Sequence, residues 1–111
     1  MSDTIAVLSG QCSPWPKKAA LIKLLRDCGL RTGEGKYSVQ IEDCEHFVFQ
    51  YLGGDIEPTI DADAENPERL FRDASLVSAA LAAAGVKHRF EVYDSDDKLV
   101  NYIHFNWPAK G

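Results

Sequence analysis

Apolar and polar residues alternate with a period of two over both halves of residues 87–108. The two halves flank a short polar turn, residues 94–98. Such alternation on both sides of a turn predicts a β-hairpin with one buried face. We expect Phe90, Ile103 and Phe105 to lie on that buried face.

The second face of the predicted hairpin is polar and aromatic. A turn centred on Asp96 and Asp97 places Phe90 opposite Ile103, which leaves the intervening side chains on the outer face. Because aromatic and arginine side chains often anchor protein interfaces, this face is a candidate binding surface. The ordinary alternative is a solvated face of favourable cross-strand pairs. The same register pairs Arg89 with His104 and Glu91 with Tyr102, and the predicted surface contains Arg89, Glu91, Tyr93, Tyr102 and His104.

A period of 3.6 residues predicts two amphipathic helices. The first follows Ser13, a candidate N-cap, and ends at Gly29 as a C-cap. The second begins with Asn66 as N-cap and Pro67 at the first helical position, and it ends at Gly85. Its apolar stripe is typical of a helix that packs on a sheet; the stripe consists of Leu70, Ala74, Val77, Leu81 and Ala84.

Short apolar segments before the second helix predict further strands. Residues 4–9 form one such strand, closed by Gly10. Residues 37–41 alternate in polarity, and residues 47–52 are apolar on both sides except at one position. Residues 31–36 contain two glycines and predict a mobile connection.

The order of these elements predicts an α+β fold, in which a mostly antiparallel sheet carries two helices packed on one face. The core order βαββαβ looks like a ferredoxin-like order plus an extra C-terminal strand. A looser α+β arrangement is the alternative. Since 111 residues is the size of one domain, we expect residues 1–111 to form a single α+β domain.

The charge of the chain is unevenly distributed. Its net charge is −5, and residues 55–111 carry eleven acidic and six basic side chains. An acidic half disfavours binding to nucleic-acid phosphates, because such binding depends on Lys and Arg. It favours a cationic protein partner, or serves solubility alone.

The sequence lacks the usual patterns of a membrane span, a signal peptide and a paired-cysteine motif, and this bears on localisation and redox chemistry. The apolar runs are too short to span a bilayer, and the N-terminus lacks the basic start of a signal peptide, so we expect a cytoplasmic protein without membrane contact. An odd number of cysteines without a CxxC pair argues against a disulfide framework, a zinc ribbon or a dithiol motif. We therefore expect no cofactor.

Residues 55–68 are rich in acids and contain no basic residue. Residues 55–65 indicate either a short edge strand or an extended loop. On an extended segment Asp61, Asp63 and Glu65 point the same way, where they would hold a hard cation or present a negative ridge to a cationic protein. The alternative is a solvated loop. No calcium-loop pattern follows, and Cys44 with His46 supplies only half a tetrahedral site, so we predict no metal.

Cys12 is the one weak candidate for catalysis. It precedes the first predicted helix, where backbone N–H groups and the helix dipole can lower a thiol pKa. No histidine or acid lies near it in sequence, and a lone cysteine is a weak signal. Trp15 would form one wall of an accompanying pocket between sheet and helices.

Three functions follow from these features. The leading hypothesis is a small acidic protein-binding module, in its sharpest form an inhibitor or immunity-type protein that neutralises a basic partner. An alternative is a small-ligand binder or thiol-dependent enzyme that uses Cys12. The third is a structural subunit that forms a homodimer through the hairpin edge or its open face.

Overall fold

The computed structural model describes residues 5–13, 15–51 and 59–107. Seven strands and two helices occupy these residues. In chain order they are β1 (Ala6–Ser13), α1 (Lys18–Asp27), β2 (Thr32–Gly35), β3 (Ser38–Ile41), β4 (His46–Gln50), β5 (Thr59–Ala64), α2 (Pro67–Ala83), β6 (Lys87–Tyr93) and β7 (Leu99–Phe105).

All seven strands form one antiparallel sheet in the order β2-β3-β4-β5-β1-β6-β7. The predicted α+β class, with an antiparallel sheet and two helices, is therefore confirmed. The ferredoxin-like order is not confirmed, and the sheet is larger than that fold has. The sheet includes β2 in a segment that we expected to be a mobile connection, because residues 32–35 pair with β3.

Strand β5 is an internal strand, whereas we expected an edge strand or a loop. It pairs with β4 on one side and β1 on the other. Its small inward residues, Ala62 and Ala64, are buried together with Ile60. The alternation of acids with apolar residues in this segment did not distinguish a central strand from an edge strand or a loop, because Ile60 is the only large side chain among the three that point inward. Residues 55–58 lie outside the described residues.

Strand β1 extends past Gly10 to Ser13, which makes it longer than predicted. Gly10 does not end the strand, because pairing with β6 continues from Gly10 to Ser13, and the ring of Phe90 packs closely against Gly10. A Cβ at Gly10 would lie 2.7 Å from Phe90 Cδ1. Ser13 is consequently a strand residue, and the N-cap of α1 is Lys17, which makes no capping side-chain bond.

Helix α2 has the predicted ends. The Asn66 side chain accepts a hydrogen bond from Arg69 N at 2.8 Å, and Gly85 adopts a positive φ of 77°. Leu70 and Leu81 are buried, whereas Ala84, predicted in the same stripe, is exposed at the end of the helix. Neither described helix is both long enough and apolar enough to cross a bilayer.

The core lies between one face of the sheet and the two helices. Helix α2 packs on β1, β5, β6 and β7, while α1 packs on β2, β3 and α2. This arrangement explains why alternate strand residues are buried. The largest buried side chains are Phe47, Phe49, Phe90, Leu21, Leu25, Ile41, Ile60, Leu70 and Leu81.

Candidate functional site

The face of the sheet turned away from the helices, called the open face below, is the candidate site. No described helix packs on it. The strand registers bring all seven predicted partner-binding residues onto this one face. They are Asp61 and Asp63 on β5, Arg89, Glu91 and Tyr93 on β6, and Tyr102 and His104 on β7.

The predicted hairpin pairs are present in β6 and β7. Arg89 lies opposite His104, and Glu91 lies opposite Tyr102. Phe90 is fully buried, while Ile103 packs against the core with partial exposure. The prediction was therefore right about which side of the hairpin faces the core, but Ile103 is less buried than predicted because β7 is an edge strand.

A lateral row of side chains crosses the open face. Asp61 lies opposite Ser9, Ser9 opposite Glu91, and Glu91 opposite Tyr102. Since neighbouring strands are about 4.8 Å apart, the Cα atoms of Asp61 and Tyr102 are separated by roughly 14 Å. The acids and the aromatic side chain thus lie within the footprint of one protein segment.

Arg89 is the centre of a polar network on β6. Its Nη1 donates to Glu91 Oε2 at 2.8 Å, and its Nη2 donates to Gln11 Oε1 at 3.0 Å. The Tyr93 hydroxyl donates to Glu91 Oε1 at 3.0 Å, and this bond raises the pKa of Tyr93. The guanidinium also lies 5.5 Å from the ring centroid of Trp107. Arg89 and Glu91 neutralise each other and hold the neighbouring side chains in place.

Asp61 and Asp63 have a different environment. Asp61 accepts hydrogen bonds from Gln50 Nε2 at 3.2 Å and Thr59 Oγ1 at 3.0 Å. Asp63 Oδ2 lies 3.0 Å from His46 Nδ1. No ion pair of the described residues joins either acid to a lysine or arginine. The middle of the open face therefore carries two acids held in place by side chains other than lysine or arginine: Gln50 and Thr59 for Asp61, and His46 for Asp63.

Tyr102 and His104 lie at the β7 end of the open face. Their ring centroids are 5.2 Å apart, and 46% of Tyr102 is exposed. Val7, also on the open face, is exposed beside Tyr93 and Asp63. The face thus combines exposed apolar surface with oriented carboxylates.

Cys12 does not have the environment that we expected. It lies inside β1, not at a helix N-terminus, and is only 3% exposed. Burial raises its pKa to about 12, so the predicted lowering of the thiol pKa is wrong. His88 lies opposite Cys12, but its Nε2 is 2.6 Å from Ser78 Oγ and its Nδ1 is 2.8 Å from Val86 O. Both histidine nitrogens are therefore occupied by other partners.

The other cysteine and histidine candidates do not converge. Cys44 is buried, with a pKa raised to about 12 by burial and by the charges of Asp73 and Asp43. His46 is on the open face, while His88 is in the core. Within residues 5–13, 15–51 and 59–107, no three His, Cys, Asp or Glu side chains are grouped to hold a metal ion.

Three clefts of the described residues lie away from the predicted contacts. One of about 230 Å³ follows the turn between β3 and β4. One of about 430 Å³ lies beside Arg31, and one of about 180 Å³ lies beside Cys28. None of these three is lined by Cys12 or Trp15, and Trp15 instead packs edge-on against Tyr51 at 6.0 Å. These clefts give the small-ligand alternative no pocket of the predicted kind.

Sequence reasoning missed the contribution of β1 and β4 to the open face. Gln11 holds Arg89, and His46 holds Asp63. The signal was present, because alternation in β1 continues beyond Gly10, with Cys12 inward and Gln11 outward. Treating Gly10 as a strand end concealed it.

Comparisons with protein-family models, curated protein sequences and solved structures give no significant match to this chain.

Proposed function

We propose that this protein is a small cytosolic protein-binding module whose open face docks a cationic segment of a partner protein. Its sharpest form is an inhibitor or immunity-type protein that covers the functional surface of a basic partner. The observation that carries the proposal is the position of Asp61 and Asp63. They lie mid-sheet, where Gln50 and Thr59 orient Asp61 and His46 orients Asp63, and no lysine or arginine among the described residues is paired with either acid.

Charge supports a cationic partner. Because Arg89 is paired with Glu91, the acids of β5 dominate the charge at the centre of the open face. A partner lysine or arginine would form charge-assisted hydrogen bonds with carboxylates that are already oriented. Such acids would also speed encounter with a positively charged protein.

The aromatic edge of the face supports a protein as partner. Tyr102 is half-exposed beside His104, and Tyr93 is fixed by its bond to Glu91. Tyrosine provides a large contact area with little conformational entropy to lose, so these side chains would slow release of the partner.

The test begins with capture of proteins from native lysate on immobilised wild-type chain, followed by identification of the retained proteins by mass spectrometry. The candidate partner is then purified, and its affinity is measured by calorimetry at several salt concentrations. For the variant D61N/D63N we expect a dissociation constant at least about tenfold higher, because two charge-assisted contacts are lost. The salt dependence of binding should also be weaker.

The matched control is D96N/D97N in the hairpin turn. It removes the same two negative charges from exposed positions off the open face, and asparagine suits the positive φ of 62° at Asp97. This control should bind like the wild type. If the partner binds D61N/D63N as tightly as wild type, or if both double variants weaken binding equally, docking through Asp61 and Asp63 is rejected.

A further inference from the structure

The two edges of the sheet are protected to different degrees. Strand β2 is four residues long and contains Gly33 and Gly35. Charged side chains of α1 reach it: Lys18 Nζ lies 3.1 Å from Glu34 Oε2, and Arg26 Nε donates to Thr32 Oγ1 at 3.1 Å. Short length and nearby charges are the usual means by which proteins prevent pairing at a sheet edge.

Strand β7, at the opposite edge, has less protection. Its seven residues, Leu99–Phe105, include no Asp, Glu, Lys or Arg. In the described part of the chain it pairs only with β6, so the N–H and C=O groups of its outer side have no strand partner. Leu99, Val100 and Tyr102 are among the most exposed large apolar side chains.

The side chains of β7 that face the helices are also incompletely covered. Ile103 and Phe105 remain partly exposed although α2 packs over this strand. A bulge near Val100 interrupts the ladder at the start of β7, so the regular segment is residues 101–105. This segment has both an unpaired backbone and apolar surface still to be buried.

We propose that the β7 edge pairs with the β7 edge of a second copy of this chain, which joins two sheets into one continuous antiparallel sheet. A two-fold axis at Ile103 overlaps the whole regular segment. It places Ile103 opposite its own copy, Asn101 opposite the second copy's Phe105, and Tyr102 opposite the second copy's His104. Because antiparallel self-pairing has two-fold symmetry, it closes as a dimer.

Charge does not oppose a second copy at this edge in spite of the net charge of −5. In this register no like-charged side chains of β7 face each other, because the strand has no Asp, Glu, Lys or Arg. Asp61 and Asp63 lie three strands away, roughly 14 Å, which is beyond the Debye length of about 8 Å at physiological salt. The acidic hairpin turns of the two copies lie at opposite ends of the junction.

Light scattering coupled to size exclusion tests the proposal. At about 100 µM the wild-type chain should have twice its monomer mass of 12.3 kDa and should dissociate on dilution. The variant Y102K/H104K places lysines opposite each other across the junction, so its dimer dissociation constant should rise more than about tenfold. The matched control V7K/S9K adds two lysines to exposed positions on β1, away from the edge, and should remain dimeric.

Amide hydrogen exchange of the wild type provides an independent readout if Y102K/H104K does not fold. Protection of residues 101–105 should rise with protein concentration, while protection of residues 32–35 in β2 should not change. A wild-type monomer at 100 µM, a dimer without added protection in β7, or a V7K/S9K variant that dissociates as readily as Y102K/H104K would each overturn the proposal. The last result would place the junction on the open face.

Discussion

Alternate residues of the same strands form the two faces of the sheet, yet the side chains of the two faces make different kinds of interaction. On the helix-covered face, Phe90 packs against Phe47 and His88 with ring centroids 5.7 and 5.1 Å apart. On the open face, neighbouring residues of the same strand form exposed or half-exposed polar networks, such as Arg89 with Glu91. Stability is therefore concentrated on one face, while the other can carry oriented charges at little cost to folding.

The largest expected effect comes from matched aromatic truncations on the two faces of one hairpin. Phe90→Ala should lower the free energy of unfolding by about 3–5 kcal/mol, because it leaves a cavity among buried rings. Tyr102→Ala, on the half-exposed side, should lower it by less than about 1 kcal/mol. Urea denaturation followed by circular dichroism measures both. Equal losses of unfolding free energy in the two variants would contradict the conclusion that stability is concentrated on the helix-covered face.

A second pair of variants tests how tightly the covered face is packed. Gly10→Ala places a methyl group 2.7 Å from the buried Phe90 ring, so it should cost about 1–3 kcal/mol of unfolding free energy. In Gly33→Ala the three atoms nearest the new Cβ all belong to the side chain of Glu42, the closest at 2.7 Å, and that exposed side chain can move. Gly33→Ala should therefore be close to wild type in the same denaturation experiment. A larger loss in Gly33→Ala than in Gly10→Ala would show that the close approach of Phe90 is not what requires a glycine.

The buried histidine of the covered face predicts a pH dependence. Burial lowers the pKa of His88, its hydrogen bond to Val86 opposes this lowering, and the charge of His104 adds to it. Since the unfolded chain binds the proton more readily, stability should fall as pH decreases below about 6.5, with a slope of up to about 1.4 kcal/mol per pH unit. The loss ends at the lower pKa of the folded state.

The pH dependence is measured by denaturation between neutral and mildly acidic pH in an H46Q/H104Q background, which removes the two histidines of the open face. The additional substitution His88→Gln should remove the acid-dependent slope even if it lowers stability at every pH. A slope that survives His88→Gln would assign the effect to other groups.

The covered face was the more predictable of the two. Alternation around Phe90 and the end signals of α2 at Asn66 and Gly85 are local, and they determined the hairpin and the helix correctly. The central position of β5 could not be predicted, because small residues such as Ala62 reveal their burial only through the strands on either side. The environment of Cys12 was missed for a related reason: the close contact between Gly10 and Phe90 joins residues far apart in sequence.

The open face was predicted as a set of residues but not as a set of contacts. Parity placed Arg89, Glu91 and Tyr102 on one side of the hairpin, and it aligned Asp61 with Asp63. Only the order of strands in the sheet brings these two groups onto the same face, with β1 between them. Strand order depends on long-range pairing, which short-range alternation does not encode.

The smallest expected effect on stability belongs to the acids in the middle of the open face. In D61N/D63N the carboxylates lose their charges but keep side chains of nearly the same shape, and each site is solvent-exposed or half-exposed. We expect the free energy of unfolding to stay within about 0.5 kcal/mol of wild type, because exposed substitutions away from caps and core contacts rarely cost more. Thermal and urea denaturation at neutral pH measure this, with D96N/D97N as the control of equal net charge.

A loss of several kcal/mol would mean that Asp61 and Asp63 hold the sheet together through Gln50 and His46. A reduced affinity for a partner would then report unfolding instead of a lost contact. An unchanged stability makes the same variant a clean probe of binding, because any tenfold loss of affinity then arises at the open face itself.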